Sequence, residues 1–225
     1  MKKLLVMATA LVAALTINAQ TYDITAMAFA ESDLTATNGT ITNNETSGYF
    51  EVKNNADETL VLTIAQLPNI EFSYKNSAVK TGFKVAPNKY IQADGDQRDI
   101  TFKNVAVGSK ITLTLASKGS KANSFEDSKT KGTGLTGCVW VSGNKTQAAK
   151  VDAMVYEDIT VQAIASTVTL RTTAGGYALQ KIVISSGSAV ENAAIEAKAV
   201  KSFENGQLVI LKNGVKYNAL GTVIE

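Results

Sequence analysis

A chain of 225 residues with 45% apolar side chains and 22 Lys and Arg against 20 Asp and Glu has the composition of an ordinary globular protein. Lys2 and Lys3 carry the whole positive excess, so the chain from Gln20 onward is neutral. That argues against nucleic acid, where Lys and Arg neutralising phosphates supply most of the affinity. The absence of histidine removes the commonest general base, the usual zinc ligand and every Ser-His or Cys-His nucleophile pair.

The first element is a leader. Lys2 and Lys3 are followed by an apolar run from Leu4 to Ile17, relieved only by Thr9 and Thr16, and by a small-residue junction at Ala19-Gln20. This is the layout of a secretory signal peptide over residues 1–19, too short and wrongly flanked for a membrane span. It predicts a mature chain that starts at Gln20 and works outside the cytoplasm or on the cell surface, with no membrane span.

From residue 20 to 186 the sequence alternates with period 2. Tyr49 to Lys53, Thr59 to Ile64, Ile111 to Leu115, Ile159 to Gln162, Thr167 to Arg171 and Ala178 to Ile184 read as half-buried strands, separated by Gly, Asn, Asp and Ser. In Ile111 to Leu115 the three apolar residues share one face and the two threonines the other, as in an antiparallel sheet with one wet side. The fold class this predicts is all-β, an antiparallel β-sandwich of jelly-roll-like form. An immunoglobulin-like strand order fits the same alternation.

Three stretches inside this domain stand out. Asp94-Gly95-Asp96-Gln97-Arg98-Asp99 is the densest carboxylate cluster. It lacks the bidentate Glu of a calcium loop, and Arg98 competes with a cation for the same oxygens, so a solvated turn is the expectation and no metal or other cofactor is assigned. The polar run from Lys118 to Gly134 is long for a loop and offers only Phe125 as an anchor. With Gly143 to Thr146 it is a candidate ligand edge, and a mobile loop is the alternative. Cys138, the single cysteine, sits between Gly137 and Val139-Trp140-Val141 and reads as a small buried residue. Alternation places Trp140 opposite both valines: it is a solvent-facing platform if they are core, and core-facing if they are exposed, the orientation favoured for so large a ring. Tyr74, Tyr90, Tyr156 and Tyr177 are the other candidate platforms. Tyr90, just before the Asp94 cluster, is the best placed of them.

Residues 187–200 are Ala-rich with no large anchor and read as a linker. Residues 201–225 then carry Asn205-Gly206 and Asn213-Gly214, each the signature of a tight hairpin, which predicts a small C-terminal β-meander.

Two resemblances follow from particular residues. Phe203 to Ile210 and Asn213 to Gly221, with their Glu-Asn-Gly and Tyr-x-x-x-Gly pattern, resemble the C-terminal sorting domains read by the type IX secretion system in secreted Bacteroidetes proteins. Asp99 to Phe102, Val107 to Leu113 and Gly176 to Ile184 resemble the jelly-roll sandwiches found beside polysaccharide lyases and glycosidases in gut Bacteroidetes. The first resemblance implies export to the cell surface, and the second implies a carbohydrate-binding-module-like role with a polysaccharide or glycan as partner. The implied ligand-binding residues are Trp140 and Tyr90 for stacking, with Asp96, Arg98 and Asp99 for hydroxyl hydrogen bonds. No nucleophile-base pair, nucleotide loop or catalytic cluster is visible, so a non-catalytic protein is expected. A structural or adhesive protein that binds a cell-envelope protein is the alternative, and after it a glycosidase or lyase working with carboxylates alone.

Overall fold

The computed structural model describes residues 19–186 together with the strands of the C-terminal tail. Residues 1–18 of the leader, residues 187–199 of the linker and the tail's turn residues lie outside the described residues. In chain order the strands are β1 (Gln20–Asp23), β2 (Leu34–Thr37), β3 (Gly39–Asn44), β4 (Tyr49–Asn54), β5 (Thr59–Ile64), β6 (Ile70–Lys75) and β7 (Thr81–Ala86). They continue with β8 (Tyr90–Ala93), β9 (Arg98–Phe102), β10 (Lys110–Ser117), β11 (Asn123–Ser124), β12 (Leu135–Thr136), β13 (Cys138–Ser142) and β14 (Thr146–Gln147). The last are β15 (Glu157–Ala163), β16 (Val168–Arg171), β17 (Tyr177–Ser185), β18 (Val200–Glu204), β19 (Gln207–Lys212), β20 (Val215–Asn218) and β21 (Val223–Ile224). Among the described residues helix is confined to two single 3₁₀ turns, Ile24–Ala26 and Glu31–Asp33, and no helix is long and apolar enough to cross a membrane.

The strands form an antiparallel β-sandwich. The larger sheet runs β13-β15-β10-β17-β8-β7-β4-β3, with β1 beside β17, and the smaller runs β12-β16-β9-β6-β5-β2. The expected alternation is kept: Ile111, Leu113 and Leu115 are fully buried while Thr112 and Thr114 face out. Leu60, Leu62 and Ile64 do the same from β5, and Phe50 and Val52 from β4. The two inner faces interlock at Phe72 of β6 and Phe83 of β7, whose rings meet edge-on at 5.9 Å and 64°. The crossings β8→β9 and β16→β17 lie side by side, β8 against β17 and β9 against β16, so a paired two-stranded ribbon passes from one sheet to the other.

Both sides of the sandwich are closed by a chain that bends from one sheet into the other. β2 passes into β3 through Asn38 at φ +57, and β12 passes into β13 through Gly137 at φ +72. Gly137 is required there: a Cβ would sit 2.0 Å from the Thr167 carbonyl oxygen.

The stretch from Lys118 to Gly134 is drawn into a ribbon. β11 pairs with β14, the amide of Asn123 donates to the Gln147 Oε1 at 2.7 Å, and both side chains are buried. Phe125 is 1% exposed and serves as the anchor the sequence offered. The tail forms a four-stranded antiparallel meander, β18 to β21, with Glu204–Gln207 and Lys212–Val215 pairs bracketing the two Asn-Gly steps. Its fourth strand was not legible in the sequence.

Candidate functional site

A sandwich offers two outer faces, and here they differ in kind. Across the smaller sheet the outward positions line up in register as Thr136, Thr169, Thr101, Glu71, Thr63 and Thr35, one from each strand. The neighbouring row is Arg171, Asp99, Ser73, Val61 and Thr37. The Arg171 guanidinium grips Asp99 with two parallel bonds of 2.7 Å, beside a shallow polar groove of about 400 Å³. No outward strand position on this face is aromatic.

The larger sheet carries partly exposed tyrosine rings on the opposite outer face. Gln92 and Lys84 are paired across β8 and β7, and Glu51 follows on β4. Tyr90 stands two residues before Gln92, and Tyr49 two before Glu51, so all five side chains share that face. Ala178 of β17 and Ala116 of β10 continue the row from Gln92. Both alanines are fully buried although they point outward. Tyr156, one residue before β15, comes in from that side. Burial pushes its phenol up to about 12, and Tyr90 is close enough to add to the rise.

An ion-pair cluster lies among these rings. Asp94 Oδ1 accepts from Lys118 Nζ and, at 2.8 Å, from Gln92 Nε2; its Oδ2 faces Lys84 Nζ at 3.6 Å. Lys84 also sits 5.0 Å from the centre of the Tyr49 ring. Burial pushes the Asp94 carboxyl up, but the bond to Lys118, its charge, Gln92 and Lys84 outweigh burial and hold it below the usual range. Asp94 therefore stays ionised and accepts hydrogen bonds, the reverse of what a proton donor to a leaving group needs. Glu51 is likewise held down, first by the Thr81 hydroxyl at 2.5 Å and then by Lys53 at 3.1 Å.

The five residues singled out from the sequence do not converge. Trp140 takes the core-facing orientation: Val139 and Val141 are both 45% exposed, while Trp140 shares the inner face with Cys138 opposite the buried Val161. It packs against the core at the sheet's rim, donates from Nε1 to the Gly143 carbonyl at 3.2 Å and has Lys145 5.9 Å from its ring centre. Tyr90 lies four strands away, about 19 Å at the usual strand spacing, on the other side of the sheet. Arg98, 5% exposed, turns into the interior. Its guanidinium stacks 3.3 Å from the centre of the Tyr74 ring, and it donates to the carbonyls of Asp96 and Thr81. Asp99, next in the strand, leaves by the opposite face towards Arg171. Asp96 pairs with Lys131 at 3.0 Å. All three carboxylates of the turn thus answer cations, and among the described residues no group of three acidic, His or Cys side chains is gathered as a metal site.

Sequence reading missed Tyr49, Lys84 and Gln92, and named Lys118 only as the start of a candidate ligand edge. Tyr49 opens the alternating stretch Tyr49 to Lys53, but nothing linear places it near Tyr90. Of the other tyrosines considered, Tyr74 and Tyr177 are core residues, 4% and 0% exposed. The polar run from Lys118 and the segment from Gly143 to Thr146 do meet, through the β11–β14 ribbon.

No family model and no curated protein matches the chain. Among solved structures, one titled "BiXyn10A CBM1 APO" aligns at a TM-score of 0.27 and 12% identity, over 74% of this chain and 96% of that one. A score that low carries no argument about fold or function.

Proposed function

We propose that the protein is a secreted, non-catalytic glycan-binding protein, and that the outer face of the larger sheet is its binding surface. The observation that supports this reading is that Tyr49, Tyr90 and Tyr156 stand on one sheet face, interleaved with the hydrogen-bonding groups of Gln92, Lys84 and Lys118. Sugars present apolar C–H faces and polar rims, so flat rings beside fixed donors suit them. Tyr49 and Tyr90 stand two strands apart on this face, and Tyr156 approaches Tyr90 from the β15 side. Trp140 has no part in this reading, and neither do Arg98 and Asp99.

Export through residues 1–19 belongs to the same proposal, with the C-terminal meander as a candidate sorting signal. Intact-mass measurement of the chain recovered from culture medium should give a product that begins at Gln20.

The binding claim is tested by titrating the purified mature chain with a panel of plant and host oligosaccharides. Tyr49→Ala and Tyr90→Ala are each expected to weaken the best ligand by about tenfold or more, the usual loss for an aromatic anchor. The far-ultraviolet spectrum should stay that of the wild type. Absence of binding to every glycan, with tight binding to an envelope protein, would establish the adhesive alternative. Turnover of a glycan that is abolished by Asp94→Asn would make the protein an enzyme.

A further inference from the structure

We propose that Gln20 is a modification site: once the leader is removed, the α-amine of Gln20 closes on its own side-chain amide, and the mature chain starts with a pyroglutamyl ring. The proposal rests on cleavage at Ala19-Gln20, part of the export reading above. In the step the α-nitrogen attacks Cδ, an N–Cδ bond forms and the Cδ–Nε2 bond breaks. Nε2 leaves as ammonia, taking the proton that the amine gives up. No water, oxidant or second reactant is consumed, and the attack is intramolecular, which keeps nucleophile and carbonyl together.

Gln20 opens β1, lies opposite Ile184 of β17 and is exposed, so a chain cut before it presents its end to solvent. The ring keeps one N–H and the backbone carbonyl, so a strand that starts with it loses none of the groups a ladder uses. Gln20 also lines a hollow of about 210 Å³ with Ile70, Phe102, Val105 and Ile184. No carboxylate is among the walls, and Lys103, the one charged residue there, is already paired with Glu71. A free α-ammonium would sit at this hollow without a counter-ion and beside a second cation, whereas the lactam is neutral. The end of the chain is also close to the core. Tyr22 is 7% exposed and Ile24 is fully buried. An aminopeptidase that removed Gln20, Thr21 and Tyr22 would take a core ring and three of the four pairs between β1 and β17. A pyroglutamyl end offers such an enzyme no α-amine, which is what the modification would achieve outside the cell.

The test weighs the intact chain recovered from culture medium and sequences it by stepwise degradation from its amino end. The expected mass is that of residues 20–225 less one ammonia. Degradation should release nothing until pyroglutamyl aminopeptidase has removed the ring, after which the readable end is Thr21. Gln20→Asn, whose shorter side chain cannot close a five-membered lactam, should keep its full mass and read directly. It should also be trimmed by an added aminopeptidase that leaves the wild type whole. A wild-type chain of residues 20–225 with Gln20 open and readable, unchanged after prolonged incubation, overturns the modification and leaves the export reading standing. A chain that begins at any other residue overturns both. The wild-type mass decides the matter even if the Gln20→Asn variant is not secreted.

Discussion

Trp140→Ala separates a structural ring from a ligand platform. Deleting a core Trp costs about 3–5 kcal/mol. Trp140 sits at the rim of the inner face with part of its ring in solvent, so about half of that, near 2 kcal/mol, is the packing share. The variant also loses the Nε1 bond to the Gly143 carbonyl, about 0.5–1 kcal/mol for a bond near the surface. The sum is about 2.5 kcal/mol. For a domain of this size each kcal/mol moves the midpoint by about 2–4 °C, so thermal unfolding followed by circular dichroism should show a drop of about 5–10 °C. Trp140→Phe keeps most of the apolar contact and should lose about 1 kcal/mol. Glycan affinity, measured by calorimetry below both midpoints, should not change in either variant. An unmoved midpoint together with a large loss of affinity would refute the reasoning and return Trp140 to the binding site.

Cys138 is buried and its thiol is pushed up to about 11, so alkylation at pH 8 should be at least about a hundredfold slower in the native protein than in denaturant; rapid labelling of the native chain would contradict this placement. Gly137→Ala puts a Cβ 2.0 Å from a backbone oxygen at φ +72 and should cost about 3 kcal/mol or more, read as a lower denaturant midpoint. Asp94 is held below its ordinary value in the folded state. Its contribution to stability is therefore complete above the usual carboxylate range and is lost as pH falls through the folded pKa. Asp94→Asn should be less stable than the wild type at pH 7, and the gap should close towards pH 2. A gap that persists in acid would show that Asp94 stabilises by something other than its charge.

Several features of this chain were set by local sequence. Period-2 alternation fixed which side of each strand is wet, as in Leu60, Leu62 and Ile64 against Thr59, Val61 and Thr63, because successive side chains leave a strand on opposite faces. The same rule bound Trp140 to the face opposite its two valines. The Asn-Gly steps fixed the first two hairpins of the tail, since those residues tolerate the positive φ of a tight turn. Phe125 was marked as the anchor of its loop because nothing else there is apolar.

The tertiary structure decided which strands are neighbours, and with that every site. Trp140 and Tyr90 were both candidate platforms in the sequence, with the core the favoured place for the Trp140 ring, and only the sheet order says which face of β13 continues the core. Arg98 reads as a solvated partner for the aspartates around it. The turn that carries it ends on an inward strand position, so it stacks on Tyr74, and Lys84, Lys118, Lys131 and Arg171 arrive from other strands to take the carboxylates. Tyr49 lies 41 residues before Tyr90 in the chain and comes within two strands of it because β7 sits between β4 and β8. Alternation is a property of one strand and is written locally. A binding face is made by strand pairing between distant segments, and that pairing is settled by the packing of the whole core.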